Sequence, residues 1–192
     1  MTEERPGKAP ARFQIRPYRS DDVPRLYEAV RESVREIAAW LPWAHAGYSI
    51  TDSAAWVETR PRAWQEDRSY DFIILDQESG TLVGGVGLNQ LDRQHQLANL
   101  GYWVRSSWAG RGAASAGARL AAGFGFRQLG LQRLEIIMAV GNIASRKVAE
   151  KAGASREGRL RNRLLISGLP HEAYLYSLIR EEWRDEGVAD FG

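Results

Sequence analysis

The strongest constraint on the fold is a glycine-containing junction near the middle of the chain. A strand pattern covers residues 97–105, a loop over 106–112 carries Gly110 and Gly112, and a run of small residues predicts a helix over 113–129. Glycine adopts positive φ readily and lets a ligand approach the backbone, and the first amides of a helix lack intrahelical partners. The junction therefore predicts an anion site that fits a pyrophosphate. An ordinary strand–helix turn is the alternative.

Two common nucleotide motifs do not match this junction. The chain contains no G-x-x-x-x-G-K-[ST] run, and Ser115 stands where a dinucleotide-binding motif has its third glycine. The loop also follows the fourth predicted strand, whereas a dinucleotide motif follows the first.

The order of apolar patterns predicts β-α-α-β-β-β-α-β-α-β-β, which is an α+β (mixed α/β) domain with helices on the faces of one sheet. Residues 1–12 are predicted to be a flexible arm, and 13–192 a single domain. We expect Ser20 to cap the first helix and Pro61 to kink or shorten the second. Strands are predicted over 13–17, 70–75, 81–88, 97–105, 133–140, 156–166 and 172–180, and helices from Ser20, after Thr51-Asp52, over 113–129 and over 142–152.

Composition narrows the class of protein. With 192 residues, 44% hydrophobic and 26% charged, the chain is typical of a globular domain, and no apolar run approaches the roughly 20 residues of a membrane span. Cysteine is absent, which excludes disulfides and thiolate sites, and the three histidines lack metal-ligand spacing, so no metal is expected. The acidic N-terminus without an apolar segment predicts a cytoplasmic protein. A net charge of +2 does not by itself predict nucleic-acid binding.

A second junction follows the predicted strand over 133–140. Asn142 stands at the start of the next helix, and Ser145 follows one turn later. Asparagine is a favoured helix cap, so a purely structural cap explains this junction when it is taken alone.

The two junctions in this order resemble the GNAT superfamily of acetyl-CoA-dependent N-acyltransferases. Its signature is Q/R-x-x-G-x-G/A, and here Gly110 and Gly112 match while Ser107 replaces the leading residue. The similarity covers about residues 13–181 and is greatest to the ribosomal-protein-alanine/serine N-acetyltransferases of the RimJ/RimL type. The supporting runs are Trp40-Leu-Pro-Trp43, Gly101-Tyr-Trp103, Asn142-x-x-Ser145 and Glu150-Lys-Ala-Gly153 followed by Glu157-Gly158.

The resemblance implies a mixed, mostly antiparallel sheet of about seven strands, flanked by about four helices and splayed between the fourth and fifth strands. It also implies that acetyl-CoA is held mainly by backbone: the loop amides on the pyrophosphate and the fourth strand on the pantetheine arm. The implied cofactor-binding residues are Trp103, Val104, Ala109, Gly110, Arg111, Gly112, Ala113, Ala114, Asn142 and Ser145.

The resemblance further implies direct transfer of an acetyl group to a primary amine in a ternary complex. Many family members use a tyrosine as the acid for the thiolate; Ala149 stands at that position, and Ser145 matches the serine that takes the role in this branch. Asn99 replaces a glutamate that many members of the branch have. Glu135 is the best remaining carboxylate for the base, although an ion pair with Arg133 or with an arginine on a neighbouring strand is the favoured explanation for it.

The resemblance also places Trp40, Trp43 and Asn99 at the acceptor pocket, with core packing as the alternative for the tryptophans. The implied acceptor is a protein N-terminal α-amine, such as that of a ribosomal protein, and a homodimer is a further expectation. No direct contact with nucleic acid and no contact with a membrane are expected.

Three other functions stay open at this point. They are a small-molecule amine acetyltransferase, a non-catalytic acyl-CoA sensor, favoured by Asn99 and Ala149, and a basic protein that docks on RNA or the ribosome. Arg159, Arg161 and Arg163 alternate with other residues and predict a basic strand face. That face would bind an acidic partner or the CoA 3′-phosphate, or would simply be solvated.

Overall fold

A computed structural model describes residues 12–184 and contains one seven-stranded sheet and four α-helices. The predicted fold class and the order of elements are confirmed. The strands are β1 (Phe13–Pro17), β2 (Ser69–Asp76), β3 (Leu82–Asp92), β4 (Leu97–Val104), β5 (Arg133–Ala139), β6 (Ser155–Ile166) and β7 (Leu169–Ile179). The helices are α1 (Val23–Ala38), α2 (Ile50–Gln65), α3 (Ala113–Arg127) and α4 (Ile143–Ala152).

The sheet order is β1-β2-β3-β4-β5-β7-β6, and every neighbouring pair is antiparallel except β4 and β5. Those two parallel strands pair only from Leu97–Arg133 to Asn99–Glu135. Beyond these three positions β4 continues to Val104 without pairing to β5. The predicted splay between the fourth and fifth strands is therefore confirmed.

Over β2 and the first seven residues of β3 the sheet buries both of its faces. One face packs on α3, whose small residues allow close approach: a side-chain carbon on Gly117 would lie 2.5 Å from Ile74 Cδ1. The other face packs Ile73 and Leu75 against α1 and α2, with Val30 of α1 fully buried among them. Burial of each such aliphatic side chain contributes about 2 kcal/mol, so the two layers hold the sheet between them.

The first helix begins later than predicted. Ser20 is not its cap, because Ser20–Asp22 forms a 3-10 turn and α1 starts at Val23. Asp22 is fully buried, and its carboxylate accepts hydrogen bonds from both terminal nitrogens of Arg16, each at 2.7 Å, and from the Arg19 amide at 2.8 Å. These bonds fix the turn and explain the shift.

The second helix begins earlier than predicted and is not shortened by Pro61. Ser49 is its N-cap, and Asp52 accepts a hydrogen bond from the Ser49 amide at 2.7 Å, which is one half of a capping box. The helix continues across Pro61 to Gln65 because Val57 and Ala63, on either side of the proline, are both buried.

The last two strands form a hairpin that differs from the prediction in two ways. Ser167 and Gly168 both have positive φ, as a two-residue hairpin turn requires, so β7 starts at Leu169 and not at 172. The pairing of β6 is shifted between Leu160 and Leu164, and Asn162 has a φ of 49°.

Arg159, Arg161 and Arg163, the residues of the predicted basic face, are all exposed, and the register shift falls among them. Arg159 is paired with Glu172 of β7.

Most of the predicted N-terminal arm, residues 1–11, lies outside the described residues. Its last residue, Arg12, is held in place: Nε donates to Asp76 Oδ1 at 3.1 Å, and the guanidinium lies 5.5 Å from the Trp108 ring centroid. Among residues 12–184, no helix combines the length and apolar character needed to cross a lipid bilayer.

Candidate functional site

The opening between β4 and β5 exposes a strand edge inside the sheet. Trp103 and Val104 pair with Gly85 and Gly84 of β3 on one side, and with no described strand residue on the other. Backbone groups along such an edge can hydrogen-bond an extended ligand as a further strand would. The two residues predicted to hold the pantetheine arm therefore lie where an extended ligand could enter.

The glycine loop stands at the C-terminal end of β4 and starts α3. Gly110 and Gly112 have φ of 76° and 88°, and an added side-chain carbon at either would meet nothing within 4 Å. Backbone conformation, and not crowding, is thus what requires glycine here.

The amides of this loop divide into two groups. Ala109 and Arg111 donate within the loop, to Ser106 O at 3.1 Å and to Trp108 O at 3.4 Å. Within the described residues the other amides of the predicted cradle make no hydrogen bond; they belong to Gly110, Gly112, Ala113 and Ala114. Unpaired amides at the start of a helix favour an anion.

Helix α1 holds the start of the loop, which the sequence analysis missed. Ser33 is fully buried; its hydroxyl accepts from the Ser106 amide at 2.8 Å and donates to Ala29 O at 2.8 Å. Glu32 accepts from Arg105 Nε at 2.5 Å and from the Ser107 amide at 2.8 Å. No local pattern announces these contacts, because they join residues more than 70 positions apart.

Three side chains meet beside the opening. Asn142 Oδ1 accepts from the Ser145 amide at 3.0 Å and caps α4. Tyr102 Oη donates to Ser145 O at 2.9 Å and lies 3.1 Å from Ser145 Oγ. Burial raises the pKa of Tyr102 to about 12, so its hydroxyl keeps its proton at neutral pH. Tyr102 lies in the Gly101-Tyr-Trp103 run, but no role was predicted for its hydroxyl.

The linker between α1 and α2 brings the two predicted pocket tryptophans to the same opening. The Trp43 ring lies 6.0 Å from the ring of Trp103 on β4, in an edge-to-face arrangement, and is 42% exposed. Trp40 reaches the end of β5, where its Cη2 would be 3.5 Å from a side-chain carbon on Gly141.

The structure does not bring Glu135 to Ser145. Glu135 is in register with Asn99, and Tyr102 is three residues further along β4, so Glu135 and Tyr102 project from opposite faces. Glu135 Oε1 accepts from Arg133 Nε at 2.9 Å, which is the ion pair considered as the alternative role.

Asn99, the third predicted substrate contact, donates from Nδ2 to Asn89 Oδ1 at 3.0 Å. Within the described range, no three His, Asp or Glu side chains are grouped so as to hold a metal ion.

Together the fold and the site define a class of enzyme. A mixed sheet that opens at its one parallel pair, with an anion-binding helix start at the mouth, is the architecture of an acyl-CoA-dependent acyltransferase. The family model described as "Acetyltransferase (GNAT) domain" matches residues 12–155, and the chain belongs to this family. It is an N-acetyltransferase, and acetyl-CoA is its acetyl donor.

Similar proteins agree with this assignment. YdaF of Bacillus subtilis strain 168, provisionally named a ribosomal N-acetyltransferase, is 30% identical, with 90% of this chain and 93% of YdaF covered. A structure from Vibrio cholerae, provisionally named a ribosomal-protein-serine acetyltransferase, has a TM-score of 0.74 at 26% identity and covers 89% of this chain and 95% of its own.

A structure described as RimL, a ribosomal L7/L12 α-N-protein acetyltransferase in complex with coenzyme A, shows the same fold. Its TM-score is 0.79 at 22% identity, and 88% of this chain and 95% of the other are covered.

Proposed function

We propose that this acetyltransferase acetylates the N-terminal α-amine of a protein, of the ribosomal-protein type, by direct attack of the amine in a ternary complex. The observation that carries the proposal is the opening between β4 and β5, with Ser145 held at its side by Tyr102 and Asn142. The names of YdaF and of the Vibrio cholerae protein support the class of acceptor.

The residues at the opening fit acetyl-CoA. Unpaired amides of Gly110 and Gly112 suit its diphosphate, and the unpaired edge at Trp103 and Val104 suits its pantetheine arm. When bound, acetyl-CoA supplies a thioester carbonyl that an amine can attack.

Ser145 is proposed to donate a hydrogen bond to the sulfur of the leaving group. Its backbone is fixed by Asn142, and the hydroxyl of Tyr102 lies within hydrogen-bond distance of its Oγ. Oriented donors of this kind stabilise charge that develops only during the reaction. An α-amine has a pKa near 8, so roughly a tenth is already neutral at pH 7 and a weak base is sufficient. Glu135 stays a prediction for that base.

The direct test measures thiol release from acetyl-CoA with a panel of amines. Peptides that begin with Ala or Ser should be acetylated on the α-amine, and the same peptides with a blocked N-terminus should not react. Mass spectrometry locates the acetyl group.

Other outcomes would identify the alternatives. Reaction only with polyamines or amino-sugars would indicate a small-molecule enzyme, and CoA binding without any thiol release would indicate a sensor. RNA binding that falls steeply with salt and persists at saturating CoA would indicate an RNA-docking protein.

A substitution tests the role of Ser145. Ser145→Ala should lower kcat by about 10²-fold, which is the lower end of what a positioned acid contributes. The Kd for CoA should change less than twofold, because the groups proposed to bind the diphosphate are the amides of the glycine loop and not Ser145. Unchanged kcat would refute the role.

A further inference from the structure

Two glycines, Gly87 and Gly101, leave a strip of the sheet without side chains on the face that carries α1 and α2. Asp71 of β2 is in register with Gly87 of β3, and Gly87 is in register with Gly101 of β4. A side-chain carbon on Gly101 would meet only Asn99 Nδ2, at 3.9 Å. Because Gly101 lies just beyond the last β4–β5 pair, this glycine floor, Gly87 and Gly101, leads from Asp71 to the opening.

Asp71 is 7% exposed, but only one of its oxygens is paired. Oδ2 accepts from Arg60 Nη1 at 2.7 Å and from Ser69 Oγ at 2.6 Å, whereas Oδ1 makes no hydrogen bond with any residue that the structure describes. A side-chain carbon on Gly87 would lie 2.3 Å from Oδ1, so this oxygen leans over the glycine floor. Oδ1 keeps some contact with solvent and has lone pairs that no described donor uses, so it can accept a hydrogen bond from a ligand or a water that reaches this face.

The direction of the side chain separates Asp71 from Glu135, a second carboxylate on this face. Glu135 turns back along β5 to Arg133, where β4 and β5 are still paired. Asp71 extends across β3 toward the side where they have separated. Oδ1 lies over β3, and the opening is the gap between β4 and β5. The middle of that gap is about one and a half strand spacings away, which is roughly 7 Å. One or two water molecules can bridge this distance.

We propose that Asp71 Oδ1 is the acceptor-side carboxylate of this enzyme. It attracts the ammonium form of a primary amine onto the glycine floor and takes the first proton from it through water. The inference rests on the proposed function. It assigns the base to Asp71 in place of Glu135, because Asn99 has no carboxylate to offer.

The protons balance in two steps. The ammonium gives one proton through water to Asp71, which returns it to solvent, and the neutral amine forms its bond to the carbonyl carbon. The carbon–sulfur bond then breaks, and the second proton of the amine reaches the departing sulfur through the hydroxyl of Ser145. The products are the amide and CoA with a free thiol.

The test measures binding, so it does not depend on turnover. Protein saturated with CoA, which carries no acetyl group, is titrated by calorimetry with a peptide that begins with Ala and with its Nα-acetylated form, which has no charge at the N-terminus. The wild type should prefer the free amine by at least tenfold, and Asp71→Asn should abolish that preference.

Two matched variants control for the loss of a carboxylate elsewhere. Asp76→Asn changes a carboxylate on the same strand that is 2% exposed and paired with Arg12, and it should keep the full preference. Glu135→Gln should keep it as well. A preference that survives Asp71→Asn, or that is lost in Glu135→Gln instead, would overturn the inference.

Folding and the proposed function are checked separately. The Kd for CoA of each variant reports an intact fold; if Asp71→Asn does not bind CoA, the double variant Arg60→Met with Asp71→Leu removes both charges together and should still lack the preference. Wild-type protein that binds CoA but acetylates no amine would refute the proposed function, whereas an active wild type with an unaffected Asp71→Asn refutes only the role of Asp71.

Discussion

At the scale of single residues, the contact between Tyr102 and Ser145 joins β4 to α4 across the opening. Tyr102→Phe removes the hydroxyl that holds Ser145, so kcat should fall about tenfold, and the free energy of unfolding should fall by about 1 kcal/mol, as for one lost hydrogen bond. The KM for acetyl-CoA should be unchanged. Steady-state kinetics and urea unfolding measure these quantities.

Tyr176→Phe is the matched control. Tyr176 is also buried and donates to Glu150 at 3.0 Å, but it lies on β7. It should lose similar stability and keep full kcat. Equal kcat in the two variants would show that the Tyr102 hydroxyl has no specific role in catalysis.

At the scale of elements, the link from α1 to the glycine loop determines how well the loop amides are positioned. Ser33→Ala leaves the Ser106 amide without its acceptor, and we expect CoA to bind about five- to tenfold more weakly and stability to fall by about 1–2 kcal/mol. Calorimetry gives the Kd, and urea unfolding gives the stability.

Ser53→Ala is the control for this prediction. Ser53 is a fully buried serine of α2 that bonds Tyr48 Oη at 2.9 Å, so its loss should reduce stability without affecting CoA. If both variants bind CoA as the wild type does, α1 does not support the loop.

At the scale of the whole molecule, the free energy of unfolding should depend on pH through the ion pair between Arg133 of β5 and Glu157 of β6. Hydrogen bonds from Arg133 and Ser177 lower the pKa of Glu157 from 4.5 to about 2. A depressed carboxyl pKa means that the unfolded chain takes up the proton first as pH falls. The stabilisation is therefore complete above about pH 4.5 and is lost progressively toward pH 2.

Glu157→Gln should flatten this loss, because the variant no longer titrates there. Urea unfolding between pH 2 and 5 measures the slope, and Glu58→Gln, which changes an exposed carboxylate without a hydrogen bond among residues 12–184, should keep the wild-type slope. An unchanged slope in Glu157→Gln would show that other groups cause the acid sensitivity.

The sequence by itself determined the features that depend on neighbouring residues. Gly110 and Gly112 were recognised because positive φ before a helix requires glycine, and Asn142 because an asparagine cap acts within one turn. The order of helices and strands along the chain followed from the same local patterns. The starts of the first two helices were misplaced. Hydrogen bonds of Asp22 and Ser49 fix where each helix begins, and helix propensity does not distinguish these residues from the polar residues beside them.

The tertiary structure alone decided what crosses the sheet. It turned Glu135 toward Arg133, fixed the glycine loop through Ser33, and set Asp71 over Gly87. These contacts depend on strand register and helix packing between residues far apart in the chain. A local pattern predicts on which face of a strand a side chain lies. The residues that the side chain contacts there depend on how the strands and helices assemble.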